Sequence, residues 1–310
     1  MKVLRPTLQR VVLLAVVVVY FQPPAYGRPR IRSLPGGVCG DERSMLEAAQ
    51  AGRAMAQQVL SQGTPWGGQN LNEYVNRLGQ NLARISGSQQ VFTFFILYNP
   101  SVNAQSFPGG FVVVNSGVIS SAESEAELAS VLSHEIAHVN ACDWRVSPWK
   151  GNLFKLLVLV PAVAFAGPAG IAAAAVSDWA EPVARARFGR SAESRADWLG
   201  TQYLALAGYD PMATVKMFAR LEAEESNQER TSGGLLATHP RLADRQRKLE
   251  KKLRDLPPPE FHPPDETEFQ RMRAEVRQYD KIYFQVMGLR GAEDEPPLPA
   301  LLRRPQEKSK

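Results

Sequence analysis

Residues 125–139 read Glu125-Ala-Glu-Leu-Ala-Ser-Val-Leu-Ser-His134-Glu135-Ile136-Ala137-His138-Val139, with no proline or glycine. A helix turns about 100° per residue, so His134 and His138 share one face a turn apart. Two imidazoles at that spacing can reach one Zn²⁺, and the glutamate between them points toward a water beside the metal. Leu128, Leu132, Ile136 and Val139 form a separate apolar stripe at helical spacing, with Glu135 between the two faces. Ser120 and Glu123 have the Ser-x-x-Glu spacing of a capping box, which predicts that the helix opens there. The competing reading is two histidines on an ordinary packed face. Short motifs also match by chance, so the neighbouring sequence decides.

A catalytic zinc takes three protein ligands and keeps one position open. The chain has four histidines, His134, His138, His239 and His262, and no cysteine pair at ligand spacing. A carboxylate is therefore the expected third ligand. Ser191-Ala-Glu193-Ser-Arg-Ala-Asp197 offers one. Ser191 as N-cap and Gly208 as C′ residue predict a helix over 192–207, with Gly200 an oddity inside it. Glu193 and Asp197 then share a face. That suits a ligand carboxylate followed by one that orients a ligand histidine. The same spacing also suits an ordinary acidic helix start, and spacing alone leaves both readings open.

Further segments narrow the choice. They are Tyr74-Val-Asn-Arg-Leu-Gly-Gln-Asn-Leu82, Asn103-Ala104, Pro108-Gly-Gly-Phe-Val-Val-Val-Asn115, Gly208-Tyr-Asp-Pro211 and Thr238-His-Pro240. With the two stretches above they cover about residues 41–250, and the chain resembles the M48 zinc metallopeptidases of the gluzincin group. The resemblance implies an α+β, mostly helical, zincin-like core with a small antiparallel sheet beside the His-Glu-x-x-His helix. It implies one Zn²⁺ per chain, held by His134, His138 and Glu193, with Glu135 as general base. Asp197 is implied as the orienting or proton-handling acid, and His239 as a transition-state donor or a gate near the metal. Arg245 matches an arginine often seen after the His-Pro motif. Two stretches depart from the family pattern. Gln105-Ser106-Phe107 stands where an Ala-Phe-Ala-like run is common, and Asn140-Ala-Cys-Asp143 stands where a basic residue is common. Neither includes a ligand, so they bear on substrate preference.

The chain of 310 residues is 44% hydrophobic, enough for one good core plus appendages. Its net charge is +5, and the acid-free stretch 1–27 holds Lys2, Arg5 and Arg10, so without it the charge is +2. That makes no case for nucleic acid. The dense basic run Arg245–Arg254 reads, with Leu242, Leu249, Leu253 and Leu256, as an amphipathic helix with a solvated basic face. Residues 1–27 read as a secretory signal: a basic start, an apolar run Val11–Phe21, and Ala25-Tyr26-Gly27 as a cleavage site. Arg28, Arg30 and Arg32 follow, and an uncleaved anchor is the alternative. The expected location is exported and periplasmic, with membrane association open. In that compartment Cys39 and Cys142 are permitted a disulfide, and two separate thiols are the other reading.

Along the chain, residues 28–40 read as a linker and 41–255 as the metallopeptidase domain. Helices are expected over 41–62 and 71–84, and strands over Val91–Tyr98 and Phe111–Val114. Asn103 and Ala104 open a stretch to Phe107 that, by the resemblance, is an edge strand binding extended substrate through its backbone; an ordinary surface loop is the other reading. Residues 154–176 are apolar but broken by Pro161, Gly167 and Pro168. They are read as buried, in peripheral membrane contact, or as a hairpin with both ends on the zinc side. Asp210 and Pro211 open a further helix. Residues 256–265 are a Pro-rich linker carrying His262. Residues 266–310 are expected to hold a final helix, with Phe269, Met272, Val276, Tyr279, Tyr283 and Val286 as its apolar face, and a disordered tail.

The expected activity is zinc-dependent endopeptidase chemistry on polypeptides, by resemblance misfolded or unassembled envelope proteins. The rival from another class is a gated, zinc-containing chaperone or assembly factor that rarely cleaves. A membrane-embedded prenyl-protein-type protease on the same core is a third reading.

Overall fold

The computed structural model describes residue 39 and residues 41–61, 63–145, 188–227, 239, 242–255 and 265–286. The expected signal segment 1–27, the apolar run 154–176, most of the expected Pro-rich linker with His262, and the residues beyond 286 lie outside the described residues.

A four-stranded sheet forms early in the chain. After helix α1 (Glu42–Ser61) come strand β1 (Thr64–Pro65), helix α2 (Gln69–Ile85), then β2 (Thr93–Tyr98), β3 (Ala104–Phe107) and β4 (Phe111–Asn115). The strand order is β1-β2-β4-β3. β3 and β4 form a hairpin through Pro108-Gly109-Gly110, pairing Ala104 with Val114 and Phe107 with Phe111. β2 runs parallel to β4, with Phe94 opposite Val112 and Ile96 opposite Val114. The sheet is thus mixed, rather than antiparallel throughout as expected. The reason is connectivity: the chain leaves β2 for the outer position of β3, running opposite to β2, and the tight turn then brings β4 back between them, parallel to β2. Among the described residues, β3 lies at one edge of the sheet, beside β4.

Helix α3 (Ser116–Ser121) follows directly, then helix α4 (Glu125–Asn140), which carries the histidines. The expected start at Ser120 is not found. Ser120 belongs to α3, where Val118 and Ile119 are fully buried. The cap is Ser124, whose hydroxyl accepts from the Glu127 amide at 3.3 Å. Glu127 in turn accepts from the Glu123 amide at 2.9 Å. Ser120-Ser-Ala-Glu-Ser-Glu-Ala-Glu127 holds the Ser-x-x-Glu spacing in two registers, and packing of α3 selects the second.

The start of α4 is held further by Glu125, whose two oxygens accept from the hydroxyls of Tyr74 and Tyr209, each at 2.7 Å. Burial and that carboxylate push both phenols well above their ordinary range, so they act as donors. Leu128, Leu132 and Ile136 are fully buried against the core beneath α2 and the sheet. Each contributes roughly 1.5–3 kcal/mol by leaving water.

Helix α5 (Arg190–Leu206) covers the other side of α4. It starts at Gly189 with no side-chain cap, so Ser191 is inside the helix and does not cap it. Gly208, at φ 88°, closes it as expected, and the Tyr209 amide reaches back to the Leu204 carbonyl at 3.2 Å. The oddity at Gly200 is resolved by the packing of α5 on α4. A Cβ there would lie 2.9 Å from the His134 nitrogen and 3.0 Å from its Cα. Only glycine lets α5 approach the metal helix this closely. Helices α6 (Met212–Asn227), α7 (Leu242–Arg254) and α8 (Thr267–Val286) complete the described chain. In α8, Phe269, Met272 and Val276 are buried as expected; the Tyr283 and Val286 side chains lie outside the described residues. Among the described residues, no helix is long and apolar enough to cross a membrane.

Candidate metal centre

His134, His138, Glu193 and His239 are all buried and each offers one ligand atom within 4.8 Å of the others. α4 supplies the two histidines a turn apart, and the first turn of α5 brings Glu193 against them. Nε2 of His134 and Nε2 of His138 are 3.0 Å apart. The Glu193 oxygens lie 3.6 Å from each of these nitrogens. Nδ1 of His239 is 3.4 Å from His134 Nε2 and 3.0 Å from Glu193 Oε1.

This donor set fits a cation. Nδ1 of His138 donates to Asp143 Oδ2 at 2.7 Å, so its Nε2 turns a lone pair inward. Imidazole and carboxylate lone pairs then converge, an arrangement that repels itself unless a proton or cation lies among them. Burial disfavours the His134 cation, but Asp197 and Glu193 outweigh that cost and raise its pKa to about 9. His138 is pushed down by burial, opposed by Asp143. Burial alone would raise Glu193; the imidazoles of His239, His134 and His138 reverse this and hold it well below the carboxylate range. Asp197 is likewise raised by burial and lowered further by Arg245 and His134, with a net fall. The cluster thus favours a carboxylate with positive charge beside it. Nitrogen and oxygen donors of this kind suit zinc.

Asp197 lies 3.2 Å from Nδ1 of His134, an ion-pair distance without the alignment of a hydrogen bond. Its oxygens are committed to Arg245, which donates from Nε at 2.9 Å and from Nη2 at 2.6 Å. Arg245 also reaches Glu193 at 2.8 Å and stacks on Phe218 with 4.9 Å to the ring centre. It therefore departs from the solvated basic face expected of α7, because two buried carboxylates require it inside.

Glu135 is fully buried, and its Oε2 accepts from the Ser106 hydroxyl at 2.7 Å. Its Oε1 faces His239 Nε2 at 3.5 Å. Ser106 lies on edge strand β3, so the strand and the glutamate share one wall of the site. Ala104 opens β3 with its side chain buried, and Asn103 precedes it, its carbonyl accepting from the Asn115 amide at 2.9 Å. Three participants were not assigned from sequence. Ser106 and Asp143 sit in the stretches that depart from the family pattern, which was the available signal. Phe188, whose ring stacks on His138 with 4.1 Å between centres, had none.

A buried His-Glu-x-x-His helix crossed by a helix bearing a third, acidic donor defines a zincin-like metallopeptidase centre. The sequence model of peptidase family M48 matches residues 69–253, and the chain belongs to that family, whose members use zinc. It is 34% identical over 200 residues to a Vibrio cholerae chain named as a beta-barrel assembly-enhancing protease, covering 62% of this chain and 41% of that one. The Yersinia pestis beta-barrel assembly-enhancing protease is 29% identical over 245 residues, covering 75% of this chain and 46% of its own. The mitochondrial metalloendopeptidase OMA1 of Arabidopsis thaliana is 32% identical over 145 residues, 47% of this chain and 28% of that one. The matches thus span less than half of these relatives.

Proposed function

We propose that this chain is a zinc-dependent endopeptidase acting on envelope polypeptides. The observation that carries it is the buried donor set of His134, His138 and Glu193 with Glu135 beside it. In this reading those three residues hold one zinc ion per chain. Bound zinc supplies Lewis acidity toward the scissile carbonyl and a nearby water. Glu135 takes the water's proton and returns it to the leaving amine, and the Ser106 hydroxyl fixes which oxygen remains free for this. Arg245, anchored by Asp197, pairs with Glu193 and holds it in place. An extended substrate is held along β3 at Asn103 and Ala104, and its carbonyl is delivered next to Glu135. The secretory pattern of residues 1–27 and the names of the relatives favour a periplasmic setting, with misfolded or unassembled envelope proteins as substrates and peripheral membrane contact through the apolar run.

One observation favours the gated reading as well. His239 lies within hydrogen-bond distance of Glu193, inside the donor cluster itself. As a gate it closes the site until substrate displaces it; as a donor it serves the tetrahedral oxyanion. Casein turnover separates these readings. Glu135→Gln is expected to keep zinc and lose turnover by several orders of magnitude, since an amide cannot accept the proton. Near-wild-type turnover in that variant would sink the assigned base. His239→Ala raises turnover if the residue is a gate and lowers it if a donor.

A further inference from the structure

We propose that Asp143 is the positioning residue for His138, and that the Cys39–Cys142 bridge holds Asp143 in that role. The bridge then sets how firmly the site keeps its metal. This rests on the zinc reading above.

The argument begins with the end of α4. The helix closes at Asn140, with Ala141 as its cap. Were the helix to continue, residue 143 would lie five positions beyond His138, about 140° around the axis and out of its reach. It reaches His138 because the chain turns back at Cys142, whose φ is 51°. This is a left-handed conformation that residues with a Cβ rarely adopt. Two backbone hydrogen bonds belong to this turn, from the Ala141 amide to Ala137 and from the Cys142 amide to Val139. Both are local and would fit a fraying helix end as well.

The long-range tie is covalent. Cys142 is bonded to Cys39, which lies 103 residues earlier and has its Cα 5.3 Å away. The bridge therefore fixes the residue that makes the turn, immediately before the residue that uses it. Asp143 is then fully buried. One oxygen accepts from His138 Nδ1 at 2.7 Å and the other pairs with Arg195. With both oxygens committed, the proton stays on Nδ1 and the Nε2 lone pair stays aimed at the donor cluster. Residues in this supporting position commonly change metal affinity by about 10–100-fold when lost.

The test uses the oxidised full chain and follows zinc release to a colorimetric chelator. The visible spectrum of the cobalt-substituted protein reports ligand geometry independently of activity. Asp143→Asn keeps an acceptor without the charge and is expected to speed release about 10-fold; Asp143→Ala should speed it further and shift the cobalt spectrum. Cys39→Ser should move both readouts in the same direction. So should a phosphine reductant, which cleaves the S–S bond to two thiols as it takes oxygen from water and becomes the phosphine oxide, and which adds no thiolate to compete for the metal. In the double variant Cys39→Ser/Asp143→Ala the two effects should not add, because they pass through the same contact. Wild-type release rates in Asp143→Asn and Asp143→Ala would overturn the positioning role. Full additivity in the double variant would overturn the link to the bridge. A wild-type chain that holds no zinc would overturn this proposal together with the reading beneath it. If Asp143→Ala does not fold, Asp143→Asn combined with Cys39→Ser completes the same cycle.

Discussion

The two histidines of α4 are each backed by a carboxylate, and each carboxylate by an arginine, but the two relays are built differently. Behind His134 stands Asp197, on a separate helix, with both oxygens committed to the buried guanidinium of Arg245. Behind His138 stands Asp143, five residues along the same chain, in a tight hydrogen bond and paired outward with Arg195, whose side chain is 39% exposed. The inner relay balances charge: Glu193 and Asp197 are two buried anions, and Arg245 is the cation between them. The outer relay sets direction, since its carboxylate is aligned on the imidazole and its arginine is half in water. Similar residue types thus perform different work according to which partner takes the better hydrogen bond.

The largest effect should come from breaking the inner relay. Arg245→Met leaves two buried carboxylates without their cation and is expected to cost about 3–5 kcal/mol in urea unfolding. Its acid sensitivity should change too. Asp197 and Glu193 are held below their ordinary values, so their contribution is fully present above about pH 4 and is lost as pH falls through the depressed values. Without Arg245, Asp197 protonates at higher pH, and the acid unfolding midpoint should rise. An unchanged midpoint would show that the guanidinium does not maintain these anions.

A middle effect is expected from Gly200→Ala, which forces a methyl against the backbone of Ser133 and His134. Overpacking of this kind costs roughly 1–3 kcal/mol. Because α5 carries Glu193, zinc retention should fall along with stability. A stability loss with full zinc retention would mean that the two helices can part without disturbing the donors. The smallest effect should come from Arg195→Ala. The Arg195 guanidinium is partly in water, where an ion pair is worth about 1 kcal/mol, and the buried Asp143 keeps its bond to His138. A loss as large as that of Arg245→Met would erase the distinction between the relays.

Local sequence patterns carried the helix of residues 125–140, its ligand face, the helix over residues 190–206 and the glycine that ends it. Each depends on spacing along one stretch of chain. What failed to be legible has a common cause. Ser120 and Ser124 offer equivalent capping registers, and only the burial of Val118 and Ile119 in α3 selects between them. The parallel pairing of β2 with β4 depends on where the hairpin inserts. Arg245 looks like one member of a solvated basic run until Glu193 and Asp197 are placed beneath it.

The sequence by itself determined that two imidazoles and a glutamate share a helix, because helical periodicity maps a four-residue spacing onto one face. Spacing made Glu193 a candidate beside an ordinary acidic helix start, and His239 entered only through the family resemblance. Only the tertiary structure decided that these groups converge within 4.8 Å, that Ser106 reaches Glu135, and that Cys39 meets Cys142. Periodicity speaks for neighbours within a helix or strand. The approach of α5 to α4 and the left-handed turn at Cys142 arise from packing between segments far apart in the chain, which no local pattern encodes.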